Sequence, residues 1–199
     1  IVGIDLGVNF LATCYDSYGK TLFFSGRKIK HTRSHYKYLR KELQELGTKS
    51  AKRKIKSIGS RENRWMNDKN HSITKALVDH YGQNTLFVLE DLSNVRSVTE
   101  KVFVKDRYVS VSWAFYQFRQ LLEYKASMNQ SLVITVSPHY TSQTCPKCGH
   151  TEKANRNKKL HLFCCKNCNY QSNDDRIGAM NLFRKGLNYI EEHSKEVIE

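Results

Sequence analysis

TSQTCPKCGH at residues 141–150 and, after a basic spacer, LFCCKNCNYQSNDDRIGAMN at 162–181 form the stretch from which the rest of the chain is read. It holds two Cys-x-x-Cys knuckles, Cys145/Cys148 and Cys165/Cys168, with sixteen residues between them, and an acidic pair, Asp174 and Asp175, just beyond. Each knuckle offers two sulfurs from one tight turn, and two such turns close a tetrahedron of four thiolates, the pattern of a structural zinc ribbon. Pro146 stiffens the first knuckle, and Gly149 supplies a residue that tolerates positive φ. Cys164 points away from the metal if its neighbour Cys165 is a ligand, and it reads as a packed thiol, as does Cys14. His150 and His161 could each replace a cysteine, but two complete pairs leave no vacancy. With four protein ligands the zinc has no open position and holds the fold without doing chemistry.

The chain of 199 residues is long enough to bury a sizeable core as one domain, with the ribbon as a small insert. It contains no signal peptide and no apolar stretch near 18 residues, which points to a soluble, cytoplasmic protein away from membranes. It opens on Ile1 inside an apolar run, which suggests a fragment whose upstream part is missing. The formal net charge of +14 calls for a polyanionic partner, nucleic acid before any other. The excess is concentrated: Arg27–Arg64 carries fourteen Lys or Arg against three Glu. A solvated helical face would show acids interleaved at i±4, and they are scarce here. The expected backbone contacts are Arg33, Lys37 and Arg40, then Lys52, Arg53, Lys54 and Lys56, then Arg61 and Arg64.

Along the chain, apolar runs at Ile1–Leu6, Phe10–Tyr15 and Thr21–Phe24, with turn residues between the last two, predict a three-stranded antiparallel meander. A helix is expected over His31–Gly47. After the basic stretch and a break at Gly59, a second helix is expected over Asn67–Tyr81. Thr85–Leu92 reads as a short buried strand ending in Glu90 and Asp91, which alternation turns to opposite faces. Ser93–Ser110 has no clear period and reads as a loop or lid. Val111–Ala126 is helical, and its Trp113 and Tyr116 read as core more readily than as base-stacking groups. A final strand, Ser131–Val136, feeds the ribbon through Pro138, and a last helix runs over Asp175–Tyr189.

A buried strand carries a carboxylate such as Asp5 only for a reason, because an unpaired one in an apolar setting is costly. Asp5 on the first strand, Glu90 at the end of the fourth and Asp175 at the start of the last helix can converge on one point. Several anions tolerate each other there around hard divalent cations. Two Mg²⁺ ions would activate a water and stabilise the leaving oxygen of a phosphodiester, which is nuclease chemistry.

The segments GIDLGV (3–8), LEDL (89–92), WAFYQFRQLLEYKA (113–126), PHYTSQTCPKCG (138–149) and FCCKNCNYQSNDDRIGAMN (163–181) carry a family resemblance. The chain resembles the C-terminal half of the TnpB (OrfB) family of transposon-encoded proteins, related to the type V CRISPR effector nucleases. The resemblance spans nearly the whole chain. It implies an α/β, RNase H-like (RuvC) domain, a mixed sheet flanked by helices, interrupted before its last helix by the four-cysteine zinc ribbon. The implied boundaries are 1–140 for the first part of the nuclease domain, 141–172 for the ribbon and 173–199 for the last segment. It implies RNA-guided, Mg²⁺-dependent endonuclease activity on DNA, with a guide RNA and target DNA as partners and an N-terminal half absent from this chain.

By motif position the catalytic, metal-holding acids fall on Asp5, Glu90 and Asp175. The family usually reads Asp-x-Asp-x-Asn-Ala-Ala-x-Asn, and Asn181 anchors the register; Asp174 takes the third role if the register slips by one. Asn173 then stands at the first Asp, Ile177 where the family prefers Asn, and Gly178 at the first Ala, so Ile177 removes a polar contact near the site. Arg176, Lys105 or Arg107 would steady a phosphate or touch DNA. Two other functions use the same residues: a nuclease-inactive RNA-guided DNA-binding protein, and a strand-transfer transposase.

Overall fold

The computed structural model describes residues 1–7, 9–92 and 115–195. Three strands open the chain, β1 (Val2–Asp5), β2 (Phe10–Asp16) and β3 (Thr21–Ser25), and they form the expected antiparallel meander. Two helices follow, α1 (Arg27–Leu46) and α2 (Lys49–Tyr81). Then come β4 (Leu86–Glu90), α3 (Phe115–Met128) and β5 (Leu132–Val136). The five strands make one mixed sheet in the order β3-β2-β1-β4-β5, with β1, β4 and β5 mutually parallel. The lid expected at 93–110, with Lys105 and Arg107, lies outside the described residues, as does Trp113.

The second helix is far longer than its apolar period suggested. It begins at Lys49, where Thr48 caps it by accepting the Ala51 N–H at 3.1 Å, and it runs through Gly59 without a break. Gly47 in the left-handed region (φ 64°) ends α1 and turns the chain so that α2 folds back along it. The pairing of the two helices keeps Gly59 helical despite its low propensity, because Ala51, Ile58 and Met66 bury one face of α2. One half of the sheet's core comes from Ile4, Leu11, Ala12, Phe87 and Leu89, packed with Met66, Leu77, Phe118 and Leu122 of the helices.

A second, three-stranded antiparallel sheet holds β6 (Arg156–Asn157), β7 (Leu162–Cys164) and β8 (Gln171–Asn173). Strand β8 runs directly into α4 (Asp174–Lys195), whose first turn Asn173 caps by accepting the N–H groups of Asp175 and Arg176, each at 3.1 Å. Helix α4 lies flat across β1. Gly3 makes this possible, since a Cβ there would stand 2.1 Å from the Ala179 carbonyl oxygen. Ile177 is fully buried, with Phe163 of the small sheet and the knuckle cysteines Cys145 and Cys165 around it. An apolar residue at 177 therefore seals the helix to the ribbon.

Candidate metal-binding active site

Strands β1 and β4 are parallel neighbours with Ile4 opposite Leu89, so Asp5 and Glu90 leave the sheet side by side at its C-terminal edge. Functional groups collect at such edges because adjacent parallel strands release their chains in the same direction. The N-terminal turn of α4 comes down on this edge: a Cβ on Gly178 would lie 2.7 Å from Asp5 Oδ2. Asp175, one turn earlier, is 14% exposed at its side chain and acts on Asp5 together with Glu90. Burial, then repulsion from Glu90 and Asp175, hold the Asp5 carboxyl well above the usual carboxylate range. Burial also raises Glu90, against the Thr141 hydroxyl, Lys185 and Arg156. Asp175 is raised by burial and by Asp174, against Arg156 and His161. Three acids on three elements, each resisting ionisation, form an arrangement that a bound divalent cation would relieve.

Asp174 and Asp175 divide the work differently than a slip of register would suggest. The Asp174 side chain is fully buried and accepts the Arg156 Nε–H at 2.8 Å, with His161 Nδ1 at 3.5 Å. Asp175 is the more open of the pair, and it weighs on Asp5 more heavily. Arg156 Nη2 also lies 3.9 Å from Asp175. Sequence reasoning passed over Arg156, which stands in the basic spacer between the knuckles; the only signal was one arginine among several cations. His161, for which two complete cysteine pairs leave no place at the zinc, meets Asn9 Nδ2 through Nε2 at 2.8 Å and faces the acids. Among the described residues, His161, Asp174 and Asp175 bring donor atoms within 4.8 Å of one another, as the four cysteines do; Asp5 and Glu90 stand outside that group, and Asp5 feels Glu90 and Asp175 through their charge.

The four knuckle cysteines fit a tetrahedral ion. Cys145 and Cys168 have their sulfurs 3.6 Å apart, as do Cys148 and Cys165. A tetrahedron with metal–sulfur arms of about 2.3 Å has edges near 3.8 Å. The backbone N–H of His150 draws the Cys148 thiol down to about 6, while desolvation and the neighbouring thiols push Cys168 up to about 12, so the four sulfurs hold their protons unequally and a metal would have to displace them. Cys164 and Cys14 stand outside this group, the latter fully buried.

The basic segment divides in two. Lys37 on α1 and Lys52, Arg53, Lys54, Lys56, Arg61 and Arg64 on α2 are exposed. Arg33 is buried and Arg40 is half-buried, and both pair with Glu62 between the two helices, so they join the hairpin together instead of facing solvent. Arg176 is likewise engaged: it donates to Thr21 Oγ1 (2.9 Å), the Tyr170 hydroxyl (3.1 Å) and Ser172 Oγ (3.2 Å), and stacks over Tyr15. Its guanidinium ties α4 to β3 and the ribbon. No described helix is long and apolar enough to cross a membrane.

Comparison with known proteins places this geometry. The family model described as a probable transposase, OrfB of the IS605 type, matches residues 1–99, and that of the Cas12f1-like TNB domain matches residues 115–182. A TnpB-like protein of Methanocaldococcus jannaschii is 30% identical over 193 residues, covering 93% of this chain and 68% of the relative. The CRISPR-associated endodeoxyribonuclease Cas12f1 of Syntrophomonas palmitatica is 27% identical over 187 residues, covering 86% of this chain and 36% of its own length. The fold matches the protein in a Cas12f1–sgRNA–target DNA complex with a TM-score of 0.70 at 22% identity, over 92% of this chain and 49% of that one. The chain thus spans between about a third and two thirds of the length of these three proteins. The resemblance in the motifs, the matched family models and the M. jannaschii relative agree that this chain belongs to the TnpB (OrfB) family, as a relative of the type V effectors.

Proposed function

We propose that the chain is the catalytic part of an RNA-guided, metal-dependent DNA endonuclease with an RNase H-like (RuvC) domain. The observation that carries this reading is the meeting of Asp5, Glu90 and Asp175 at the C-terminal edge of two parallel strands, under the first turn of one helix. Acids that raise one another's proton affinity in this way are poorly matched to a mere binding surface for DNA, which repels them. Asp5, Glu90 and Asp175 would hold Mg²⁺, which when bound supplies an activated water and charge stabilisation for the departing oxygen of a phosphodiester. Arg156 balances the acids from the ribbon side and limits their mutual repulsion. The ribbon, residues 141–172, is held by zinc on Cys145, Cys148, Cys165 and Cys168 and separates the nuclease segments 1–140 and 173–199.

Target DNA and a guide RNA are the partners, in keeping with the relatives' names. The exposed cations of α2 face their phosphates, so affinity falls by about 0.9 log unit per log unit of salt for each duplex phosphate neutralised. The test is cleavage of labelled single- and double-stranded DNA in Mg²⁺ by the upstream-complete protein with its co-purifying RNA, beside Asp5→Ala. Cutting by the wild type that disappears in Asp5→Ala is expected. Intact DNA bound tightly, with RNA required and salt opposing, refutes the nuclease and leaves an RNA-guided binder. Joining of a DNA end to a second duplex would point to strand transfer.

A further inference from the structure

Among the described residues, Glu90 is the one acid of the three whose carboxylate accepts from a neutral side chain. The Thr141 hydroxyl donates to Glu90 Oε1, and among the described residues no hydrogen bond engages Oε2. Thr141 is 3% exposed and sits in the loop that leads from β5 into the first cysteine knuckle. Its hydroxyl also lies 3.0 Å from the Pro138 carbonyl; one proton serves one acceptor at a time, and an ionised carboxylate is the stronger acceptor of the two.

The loop is gripped from one face of α4. Asn181, itself 6% exposed, donates to the carbonyls of Thr141 (2.7 Å) and Thr144 (2.8 Å). Lys185, four residues on and therefore on the same face, donates to the carbonyls of Ser137 and His139. The helix whose first turn carries Asp175 thus also fixes the backbone from which Thr141 reaches Glu90.

We propose that Thr141 is a positioning residue for the metal site: it locks the Glu90 carboxylate in one orientation through Oε1 and presents Oε2 to the cation. The inference rests on the reading of Asp5, Glu90 and Asp175 as metal ligands. Groups that orient a ligand without touching the metal typically carry 10–100-fold in metal affinity, because a carboxylate free to rotate must be ordered on binding.

The test uses the upstream-complete protein with its RNA, as wild type, Thr141→Val and Thr141→Ser. Mn²⁺ binding without DNA is followed from the free-ion electron paramagnetic resonance signal, and cleavage is followed against Mg²⁺ concentration. Valine keeps the shape and deletes the hydroxyl. It is expected to weaken Mn²⁺ binding by about 10–100-fold and to raise the half-saturating Mg²⁺ to match. Rate at saturating Mg²⁺ should change far less, and zinc content should be unchanged. Serine restores the hydroxyl and should restore Mn²⁺ affinity. A Thr141→Val protein that binds Mn²⁺ as the wild type does overturns the proposal. If valine costs the protein its zinc, serine decides: wild-type affinity supports the hydroxyl's role, and a loss as large as valine's overturns it. A wild type that neither binds Mn²⁺ nor cuts DNA overturns the nuclease reading itself, which is a different result from a cutting wild type matched by its valine variant.

Discussion

The same substitution, glycine to alanine, should have opposite signs at positions 3 and 59. At Gly3 the new Cβ would lie 2.1 Å from the Ala179 carbonyl oxygen and 2.4 Å from the Phe183 nitrogen, where ordinary contact begins at 3.4 Å. Both obstacles are backbone of α4, which cannot swing aside as a side chain would. The helix must retreat by about 1 Å, and overpacking of this kind costs about 1–3 kcal/mol or more. In a domain of this size each kcal/mol lowers Tm by roughly 2–4 °C, so a fall of about 6–12 °C is expected at the upper end. The retreat also draws Asp175 from Asp5, and cleavage should fall further than stability explains. At Gly59 the new Cβ would meet only Arg40 Nη2, at 3.9 Å, inside a helix. Alanine there gains about 0.5–1 kcal/mol from helix propensity alone. Thermal and urea unfolding of the zinc-loaded protein measure both. A Gly3→Ala protein that melts with the wild type would refute the seating of α4 on β1, and a destabilised Gly59→Ala would refute the continuous α2.

Two more predictions concern the metal centres. Stripping the four-cysteine site with a chelator should open residues 145–168 to protease and, by releasing Arg156 and Thr141, weaken Mn²⁺ binding at the acids; unchanged protection would refute zinc as the ribbon's support. Asp5→Asn should stabilise the protein without divalent cation at pH 8 by about 1–3 kcal/mol, the scale for an imperfectly paired buried polar group. The folded protein holds the Asp5 proton more tightly than the unfolded chain does. Stability from this group is therefore complete below the ordinary carboxylate pKa near 4 and is lost as pH rises through the raised value. The gap between mutant and wild type should close as pH falls toward 4, and equal unfolding midpoints at pH 8 would refute it.

The meander, β4, β5 and the knuckles were legible because each rests on a short-range signal: alternation, a turn residue or a fixed Cys spacing; an acid beside an apolar run singled out Asp5 and Glu90 in the same way, and the strand register sets those two side by side. Helix α2 was not, because its first half pairs with α1 through only a few buried residues, and Gly59 stands where propensity argues for a break. Arg33, Arg40 and Arg176 read as surface cations by their type, yet Glu62 lies across the hairpin from the first two, and Thr21, Tyr170 and Ser172 surround the third. No local pattern encodes partners that far away along the chain. Arg156 was hidden for the converse reason, since a basic spacer looks the same whether its arginine faces solvent or a buried Asp174.

Helix α4 covers β1, so the first strand of the described fold waits for its last helix. During synthesis the meander and the hairpin of helices can form early from neighbours in sequence, but Asp5 and Glu90 stay without Asp175 until the ribbon has been made. Closing the domain is therefore the long-range, slow step. A ribosome-bound chain cannot bring the three acids together before the knuckle cysteines have emerged, so the four-cysteine cluster can close before the acidic group is complete.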